Sequence, residues 1–471
     1  MSPFHPLEPS PDEMRRMAGD VLERIVAHVA SLPEQPAADV AGAVELARSL
    51  REEEMPEEAT PLPALLDLIF DRAVLKSFNT AGPGYLAYIP GGGLPHSAVA
   101  DLIADATNRY VGVFAAAPGL AGIEAAVLRW MGAIVGFPPD AGGILTSGGS
   151  LSNFSAIVAA REELLPENFL AGTLYASDQS HYSVAKAARL AGFPAASVRA
   201  VETDSRFRMR IDRLAEAIAD DRAAGRVPFL VVGNAGTTNT GAVDDLEAVD
   251  AVARAEGLWH HVDAAYGGFF ALTEAGRRRL AGISRADSVA LDPHKGLFLP
   301  YGTGCLLVRD VAALRRAHAL SGDYMPPMQE EADLPDFSQL SPELSRGWRG
   351  LRIWLPIMLH GVAPFRANLE EKLELTQWAA EELRRIPELA IVAEPQLSIV
   401  AFRLREPDSE EAGNAANRAL LSRINARNRV HLTGTLLRGR FAIRICVLSF
   451  RTHRDRMEMA LEDVRAAVAE G

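Results

Sequence analysis

The segment Ser288–Asp310, SVALDPHKGLFLPYGTGCLLVRD, determines which fold the remainder of the chain is expected to form. It begins with an apolar, strand-like run, breaks at Asp292, presents His294 and Lys295, and returns to an apolar run at Cys305–Val308. A lysine in apolar surroundings is desolvated, which lowers its pKa and makes the amine a usable nucleophile. An isolated lysine after a strand is more often an ordinary surface residue. The choice between the two depends on the segments around it.

The chain from about residue 118 to residue 310 alternates strand-like and helical patterns. Such alternation predicts a mostly parallel sheet covered by helices, with ligands at the carboxyl ends of the strands. The strand candidates are 143–146, 173–176, 196–201, 229–233, 259–262, 288–291 and 305–308. The helix candidates are 120–135, a helix that follows a glycine turn and runs to about 163, 181–191, 212–223, 244–256 and 274–282.

The regions on either side of this core have other patterns. Residues 1–85 form an N-terminal helical arm in this interpretation, with an amphipathic helix at 11–32, a linker or arm at 32–59, and a helix at 61–78 capped by Thr60. The segment 32–59 could also be a local surface helix, and a clasp on a second subunit is an equal alternative. We expect a large domain at 86–350, which includes a mobile loop at 321–344, and a small α+β domain at 351–471. In this last part, 349–384 is one long helical region, followed by strands at 397–404, 430–434 and 440–447 and helices at 411–428 and 453–469.

Composition and charge exclude several classes of protein. The 471 residues are 48% hydrophobic and carry a net charge of −13, which argues against nucleic acid or an anionic membrane as a partner. The two cysteines, Cys305 and Cys446, lie in apolar runs, so neither a disulfide framework nor a zinc site is expected. No apolar stretch is expected to reach the ~18 residues of a membrane span. The N-terminus lacks a targeting pattern, so we expect a cytoplasmic protein.

The turn Ser147-Gly148-Gly149-Ser150 joins an apolar strand to a helix. Glycines let backbone N–H groups approach an anion, the helix N-terminus adds partial positive charge, and Ser150 adds a hydroxyl donor. A phosphate site and a plain strand–helix turn with a serine cap remain equal alternatives for this motif alone. Neither the nucleotide P-loop nor the dinucleotide fingerprint is present.

A second segment, WHHVDAAYGG at 259–268, places an aspartate at the end of a buried strand. Asp263 could pair with a pyridinium nitrogen and keep it protonated, and Ala265 is small enough for a flat ring to lie against it. His260 and His261 are adjacent strand residues that point to opposite faces, so we expect no metal site.

Two further loops follow strand candidates. His181, in SDQSHYS at 177–183, could stack on an aromatic ring and take part in acid–base chemistry, or could simply cap the following helix. Thr237 and Thr238, in NAGTTNTGAVD, could donate hydroxyl groups to a ring substituent.

Taken in order, these segments resemble those of the group II pyridoxal-phosphate (PLP) dependent amino-acid decarboxylases of fold type I. The resemblance extends from about residue 10 to the C-terminus, and HVDAAYGG and DPHK are its most specific parts. It implies an α/β fold with a mostly parallel seven-stranded sheet in the large domain, an N-terminal helical arm and a small C-terminal α+β domain. It also implies a homodimer with active sites at the interface, which decarboxylates a small-molecule substrate, an L-amino acid with an aromatic or other apolar side chain favoured.

The resemblance assigns individual roles to residues of this chain. Lys295 corresponds to the Schiff-base lysine, His181 to the residue that stacks on the pyridine ring, and Asp263 to the partner of its nitrogen. The remaining cofactor residues are the phosphate-binding Gly149 and Ser150 and the ring neighbours Thr237, Ala265 and His294.

Some positions depart from the pattern of the aromatic members. Gly296 follows the lysine, where a bulky residue is common. The family's substrate-pocket loop is similar to a segment that carries Ile89 here, where an aromatic residue is common. The residues expected to wall an apolar substrate pocket are Tyr88, Ile89, Pro90, Val111 and Val113.

The segment 333–352 resembles the family's catalytic loop, whose tyrosine returns a proton after carbon dioxide leaves. Aligned on Asp336 and Trp348, that position holds Phe337, and relatives with this change release an aldehyde, ammonia and hydrogen peroxide. Tyr324, a few residues upstream, is the alternative donor, which would make the product an amine. A transaminase or lyase on the same fold is a further alternative.

Overall fold

The computed structural model describes residues 7–320, 322–323, 325–328, 333–405 and 409–471. The α-helices of these ranges are, in chain order, α1 (Pro11–Ser31), α2 (Ala43–Glu52), α3 (Leu62–Asp67), α4 (Pro95–Thr107), α5 (Pro118–Val135), α6 (Gly149–Leu164), α7 (Tyr182–Leu190), α8 (Ile211–Ala223), α9 (Leu246–Glu256), α10 (Glu274–Arg279), α11 (Pro293–Gly296), α12 (Val311–His318), α13 (Arg349–His360), α14 (Ala363–Arg384), α15 (Glu410–Ala426) and α16 (Arg454–Ala469). The strands are β1 (Gly142–Thr146), β2 (Gly172–Ser177), β3 (Val198–Val201), β4 (Val227–Asn234), β5 (Trp259–Asp263), β6 (Ser288–Leu291), β7 (Gly304–Val308), β8 (Leu389–Ala393), β9 (Ile399–Leu404), β10 (Thr433–Leu437) and β11 (Arg440–Cys446).

The large sheet contains seven strands in the order β1-β7-β6-β5-β4-β2-β3. Strands β2, β3, β4, β5 and β6 run parallel to one another, whereas β7 is antiparallel to both of its neighbours, β1 and β6. All four residues of β6 and all five of β5 are buried, as expected for strands covered on both faces. The predicted α/β class and the mostly parallel seven-stranded sheet are confirmed.

The register of the parallel strands brings polar residues together at one edge of this sheet. Asn234 at the end of β4 is paired with Asp263 at the end of β5, which in turn is paired with Ala290 near the end of β6. The loop before α7 begins at Ser177, where β2 ends. Carboxyl ends of parallel strands meet at the same edge, so the segments that carry the predicted site converge there.

The N-terminal arm is helical, as predicted, but its details differ. Helix α1 starts with a capping box between Ser10 and Glu13, and none of its 21 residues is buried. The segment 32–59 contains α2, which has no buried residue and agrees with the alternative of a local surface helix. The predicted helix at 61–78 has no Thr60 cap; it begins after Pro61 as α3 and continues as a π-helical turn over Leu68–Val74.

The C-terminal part contains a second sheet of four antiparallel strands in the order β10-β11-β9-β8. Its strand β8 was not predicted, and the strand expected at 430–434 lies at β10 instead. The region 349–384 is two helices because Gly361, with φ of 69°, ends α13. Helix α13 packs against α4 and α5, so we propose a domain boundary within α14 rather than at residue 351.

Helix α5 corrects one expectation from the sequence. It has the length and composition of a membrane span, with a mean hydropathy of 1.2. In the structure it packs against α13 and β1, buries Leu128 and Met131 in the core, and pairs Glu124 with Arg346 at 2.5 Å. Packing within the large domain accounts for its apolar composition.

Candidate active site

A cavity of about 290 Å³ lies at the carboxyl edge of the large sheet. Every residue that the sequence assigned to cofactor binding lines it: Gly149, Ser150, His181, Thr237, Asp263, Ala265, His294 and Lys295. These residues come from five separate loops, and the parallel strands bring the loops together. The fold therefore assembles the predicted constellation in one place.

The glycine–serine turn forms one end of the cavity. Gly148 has φ of 152°, which favours glycine, and a Cβ on Gly149 would lie 3.0 Å from Ala265 Cβ and 3.2 Å from Asp292 Oδ2. The turn leads directly into the 16-residue helix α6, whose first N–H groups have no partner within the helix. The turn thus offers the backbone donors, the space and the Ser150 hydroxyl that a phosphate requires.

Lys295 lies in the short helix α11, and its Nζ is 2.9 Å from Asp292 Oδ2. Burial lowers the pKa of the lysine, but the charge and hydrogen bond of Asp292 outweigh burial and hold that pKa above its ordinary value. The expectation of a lowered pKa is therefore wrong for the protein without a ligand. The sequence argument considered only the apolar surroundings and missed the carboxylate three residues earlier.

Asp263 is held from two sides. Its Oδ1 accepts the backbone N–H of Ala265 at 3.2 Å, and its Oδ2 accepts the side-chain N–H of Asn153 at 3.0 Å. Both bonds fix the plane of the carboxylate, which faces the cavity from the end of β5. The carboxylate can therefore pair with a positively charged ring nitrogen.

His181 is the N-cap residue of α7, so the capping role and the cavity position occur together. Its Nδ1 accepts the backbone N–H of Ser183 at 3.3 Å and lies 2.7 Å from the Ser183 hydroxyl. Burial lowers the pKa of His181, which favours the neutral imidazole.

Thr237 and His294, two further polar residues of the cavity, form hydrogen bonds within their own loops. The Thr237 hydroxyl lies 2.9 Å from that of Thr240. His294 Nδ1 lies 2.6 Å from the Thr303 carbonyl oxygen, and since only a ring N–H can bond to a carbonyl, Nδ1 is the donor. Burial lowers the pKa of His294 as well.

The five residues predicted to wall the substrate pocket do not line this cavity in the single chain. Ile89, Val111 and Val113 are buried in the protein, and Tyr88 is 56% exposed. The loop nevertheless reaches the site, because a Cβ on Gly91 would lie 2.0 Å from the His294 carbonyl oxygen. The backbone of this loop at Gly91 therefore lies against the lysine segment.

Phe337 is not at the cavity either. Its side chain is 0% exposed in a 3-10 turn, with the Arg346 guanidinium 4.9 Å from the ring centroid. Ser338 and Asp336 hold this turn against the Val111 segment by bonds to Gly112 and Phe114. A ring packed inside its own subunit is poorly placed to face a reacting carbon. Tyr324, the alternative donor, lies outside the described residues.

The sequence argument gave no role to several polar residues that line the cavity, among them Asn153, Ser183, Asn234 and Asp292. Asp292 carried a usable signal, since an acid three residues before a lysine is within reach of it across one turn. Asn153 carried none, because a single asparagine in an otherwise ordinary helix pattern says nothing about which residues it will contact.

Comparison with known proteins identifies the family. The model of the pyridoxal-dependent decarboxylase conserved domain matches residues 45–405. An aromatic-L-amino-acid decarboxylase of Bacillus atrophaeus is 32% identical over 467 residues, which cover 98% of this chain and 97% of that protein. The chain belongs to the pyridoxal-dependent decarboxylase family.

Solved structures agree in fold over nearly the whole chain. Oryza sativa TDC with PLP and tryptamine has a TM-score of 0.92 at 26% identity and covers 99% of both chains. Catharanthus roseus tryptophan decarboxylase in complex with L-tryptophan has a TM-score of 0.91 at 26% identity, over 99% of this chain and 100% of that one. The protein is a PLP-dependent carboxy-lyase with the fold of these enzymes.

The residues of the cavity fit PLP. The absence of a side chain at Gly148 and Gly149 leaves space at the turn that a Cβ would occupy. Asp263 can pair with the ring nitrogen of PLP, and the amine of Lys295 can react with its aldehyde. The side-chain oxygen Oδ1 of Asp292 is buried without a hydrogen-bond partner. This oxygen can therefore accept a hydrogen bond from a polar group of a ligand beside the lysine.

Proposed function

We propose that this protein removes the carboxylate of an aromatic L-amino acid and releases the amine and carbon dioxide, with PLP held covalently by Lys295. The observation that carries the proposal is the arrangement of Lys295, Asp263 and the glycine–serine turn around one cavity. An amine, an anion and a phosphate cradle are the three groups that PLP chemistry requires.

PLP, when bound, supplies an electron sink for the bond that breaks. The chain supplies the rest. Asp263 would keep the ring nitrogen protonated, Ser150 and the N-terminus of α6 would hold the phosphate, and His181 and Ala265 would contact the ring. Lys295 would hold the cofactor through its amine, and Asp292, 2.9 Å from Nζ, would pair with that amine whenever it is free and protonated.

Two observations support an aromatic substrate. The relatives described above are aromatic-L-amino-acid and tryptophan decarboxylases. Two exposed tyrosines also flank the histidines of the cavity: Tyr182 is 70% exposed with its ring centroid 4.3 Å from that of His181, and Tyr301 is 60% exposed with its centroid 5.8 Å from that of His294. Exposed aromatic rings next to cavity residues favour a flat apolar side chain.

The packing of Phe337 supports an amine as the product. The aldehyde alternative rested on Phe337 replacing the acid that returns a proton, and that residue is instead enclosed in the core with Arg346. We therefore propose Tyr324 as the proton donor. A general acid typically increases the rate of proton transfer to the substrate carbon by about a hundred- to ten-thousandfold. Such an increase favours protonation over reaction with dissolved oxygen.

We also propose that two copies of this chain form a homodimer through the N-terminal arm. Five apolar side chains of α1 are largely exposed in the single chain, and a 21-residue amphipathic helix with an uncovered apolar face calls for a partner surface. They are Met14, Met17, Leu22, Ile25 and Val26. Analytical ultracentrifugation of the full chain and of Ile25→Glu tests this: a dimer that dissociates in the variant is expected, and a monomeric wild type would refute it.

The activity is tested with a panel of L-amino acids labelled in the carboxyl carbon. Purified holoenzyme is incubated with tryptophan, tyrosine, phenylalanine, glutamate and leucine, and carbon dioxide, amine, aldehyde, keto acid, ammonia and peroxide are measured. We expect labelled carbon dioxide and amine in equal amounts from the aromatic substrates. Aldehyde with peroxide would support the oxidative alternative, and a keto acid without labelled gas would indicate a transaminase.

A further inference from the structure

A chain of hydrogen bonds runs from the cavity into the core behind the sheet. Asn153, which is 1% exposed on α6, bonds to Asp263, to Ser183 and to His261. The three distances are 3.0, 2.9 and 2.9 Å. On its far side, His261 lies 2.8 Å from the Ser288 hydroxyl, which accepts the indole N–H of Trp259 at 2.8 Å. From Asp263, the network therefore divides at Asn153 into two branches. One runs through His261 to Ser288, and the other runs through Ser183.

The direction of each bond follows from the cavity end. An ionised Asp263 can only accept, so the Asn153 atom that faces it must be the NH₂ group. The amide oxygen then faces His261 and accepts a hydrogen bond from Nε2–H. Burial lowers the pKa of His261 to about 4, so the ring is neutral and its Nδ1 is an acceptor.

The far end is compatible with this direction. An indole N–H can only donate, so Ser288 Oγ accepts from Trp259 and can give its own hydrogen to His261 Nδ1 at 2.8 Å. The arrangement fixed by Asp263 therefore continues through His261 to Ser288 with each donor facing an acceptor.

The second branch leads to His181. Ser183 Oγ accepts from Asn153, which frees the serine hydrogen for His181 Nδ1 at 2.7 Å. The backbone N–H of Ser183 also donates to Nδ1, at 3.3 Å, so this nitrogen is an acceptor in either case. A neutral His181 then carries its proton on Nε2.

We propose that Asn153 is a positioning residue, which holds Asp263 as a hydrogen-bond acceptor toward the cofactor and links its orientation to single tautomers of His261 and His181. The inference rests on the proposed roles of Asp263 and His181. A bond to a charged group contributes enough that its loss should weaken PLP binding between about ten- and a hundredfold.

Two substitutions of Asn153 separate its effect on Asp263 from its effect on the tautomer of His261. Asn153→Asp keeps size and shape and still accepts from His261, but it presents an oxygen instead of a donor to Asp263. Asn153→Leu removes all three hydrogen bonds, including the one to Ser183. Ser155→Ala is the matched control, because Ser155 is buried on the same helix and its hydroxyl has no hydrogen-bond partner.

The test combines two measurements on the full chain without PLP: ¹⁵N NMR of selectively labelled histidines, and the dissociation constant of PLP by absorbance titration. In wild type, His261 and His181 should each show a protonated Nε2. Asn153→Asp should retain the His261 tautomer and bind PLP ten- to a hundredfold more weakly, whereas Asn153→Leu should lose both the tautomer and the affinity. Ser155→Ala should change neither.

Several results would overturn the proposal. A wild-type His261 or His181 protonated on Nδ1 contradicts the bond directions, even if no variant folds. Unchanged PLP affinity in Asn153→Asp removes the positioning role while leaving Lys295 as the PLP site. Wild type that fails to bind PLP, by contrast, would contradict the proposed function itself.

Discussion

The amine of Lys295 and the carboxylate of Asp292 lie 2.9 Å apart, with Asp292 2% exposed. An amine attacks an aldehyde only when it is unprotonated. Since Asp292 holds the pKa of Lys295 above its ordinary value despite burial, the protein without PLP keeps this lysine charged at neutral pH. Attachment of the cofactor must then wait for the lysine to lose its proton.

Asp292→Asn should speed the attachment of PLP. Removing the negative charge destabilises the ammonium form, so the pKa of Lys295 falls and more amine is unprotonated at any given pH. Stopped-flow absorbance on the PLP-free protein should show a rate that rises with pH in wild type, and the same rise at lower pH in the variant. Asp310→Asn, at an exposed carboxylate paired with Arg316, is the control. An unshifted profile would mean that Asp292 does not control the lysine.

Asp263→Asn should impair turnover far more than binding of substrate. The amide cannot hold a proton on a ring nitrogen, so the rate should fall by about a thousandfold, at ~1.4 kcal/mol per tenfold change. The measurement is kcat at saturating PLP and substrate, with the absorbance spectrum confirming that cofactor is bound. Near-normal kcat with bound cofactor would remove Asp263 from the chemistry.

Substitutions in the loop distinguish the two candidate donors. Phe337→Tyr places a hydroxyl in the core, which should lower the free energy of unfolding by about 1–3 kcal/mol and leave the products unchanged. Tyr324→Phe should shift the products from amine toward aldehyde and peroxide. Product analysis and denaturant titration measure the two effects. If Phe337→Tyr instead increased the amine share, the packing argument for Phe337 would fail.

The ion pair between Arg346 and Glu124 should contribute strongly to the stability of the segment before α13. Both side chains are almost fully buried, at 1% and 0% exposure, and their atoms approach to 2.5 Å. Arg346→Met leaves a buried carboxylate unpaired, which should cost about 3–5 kcal/mol of unfolding free energy. The double variant Arg346→Met/Glu124→Gln should recover a large part of that loss in a denaturant titration. A loss in the double variant that equals that of the single one would show that the charge of Glu124 is not the cause.

The sequence predicted the parts of the site that follow strands. Lys295, Asp263 and His181 could be found because each comes directly after an apolar run, and parallel strands bring such ends together. The order of the strands and the antiparallel direction of β7 could not be found, since they depend on pairing between distant segments. The alternation of strand and helix was enough for the fold class.

Residues that act through other side chains were not predictable in the same way. Asn153 lies within a helix pattern, and its three partners come from 30 to 110 residues away in the chain. Phe337 was assigned to the proton-donor position by alignment on Asp336 and Trp348, whereas Arg346 contacts its ring and its turn bonds to the Val111 segment. Burial of one residue in a polar stretch is decided by tertiary contacts, which local composition does not record.

The central claim, that Lys295 in this cavity holds PLP, is tested most directly by trapping. Holoenzyme is reduced with borohydride, digested and analysed by mass spectrometry, alongside Lys295→Arg and the exposed-site control Lys186→Arg. We expect one PLP-modified peptide, carrying the label on Lys295, in wild type and in Lys186→Arg, and none in Lys295→Arg. A label on any other lysine in wild type, or a labelled peptide that persists in Lys295→Arg, would contradict the account.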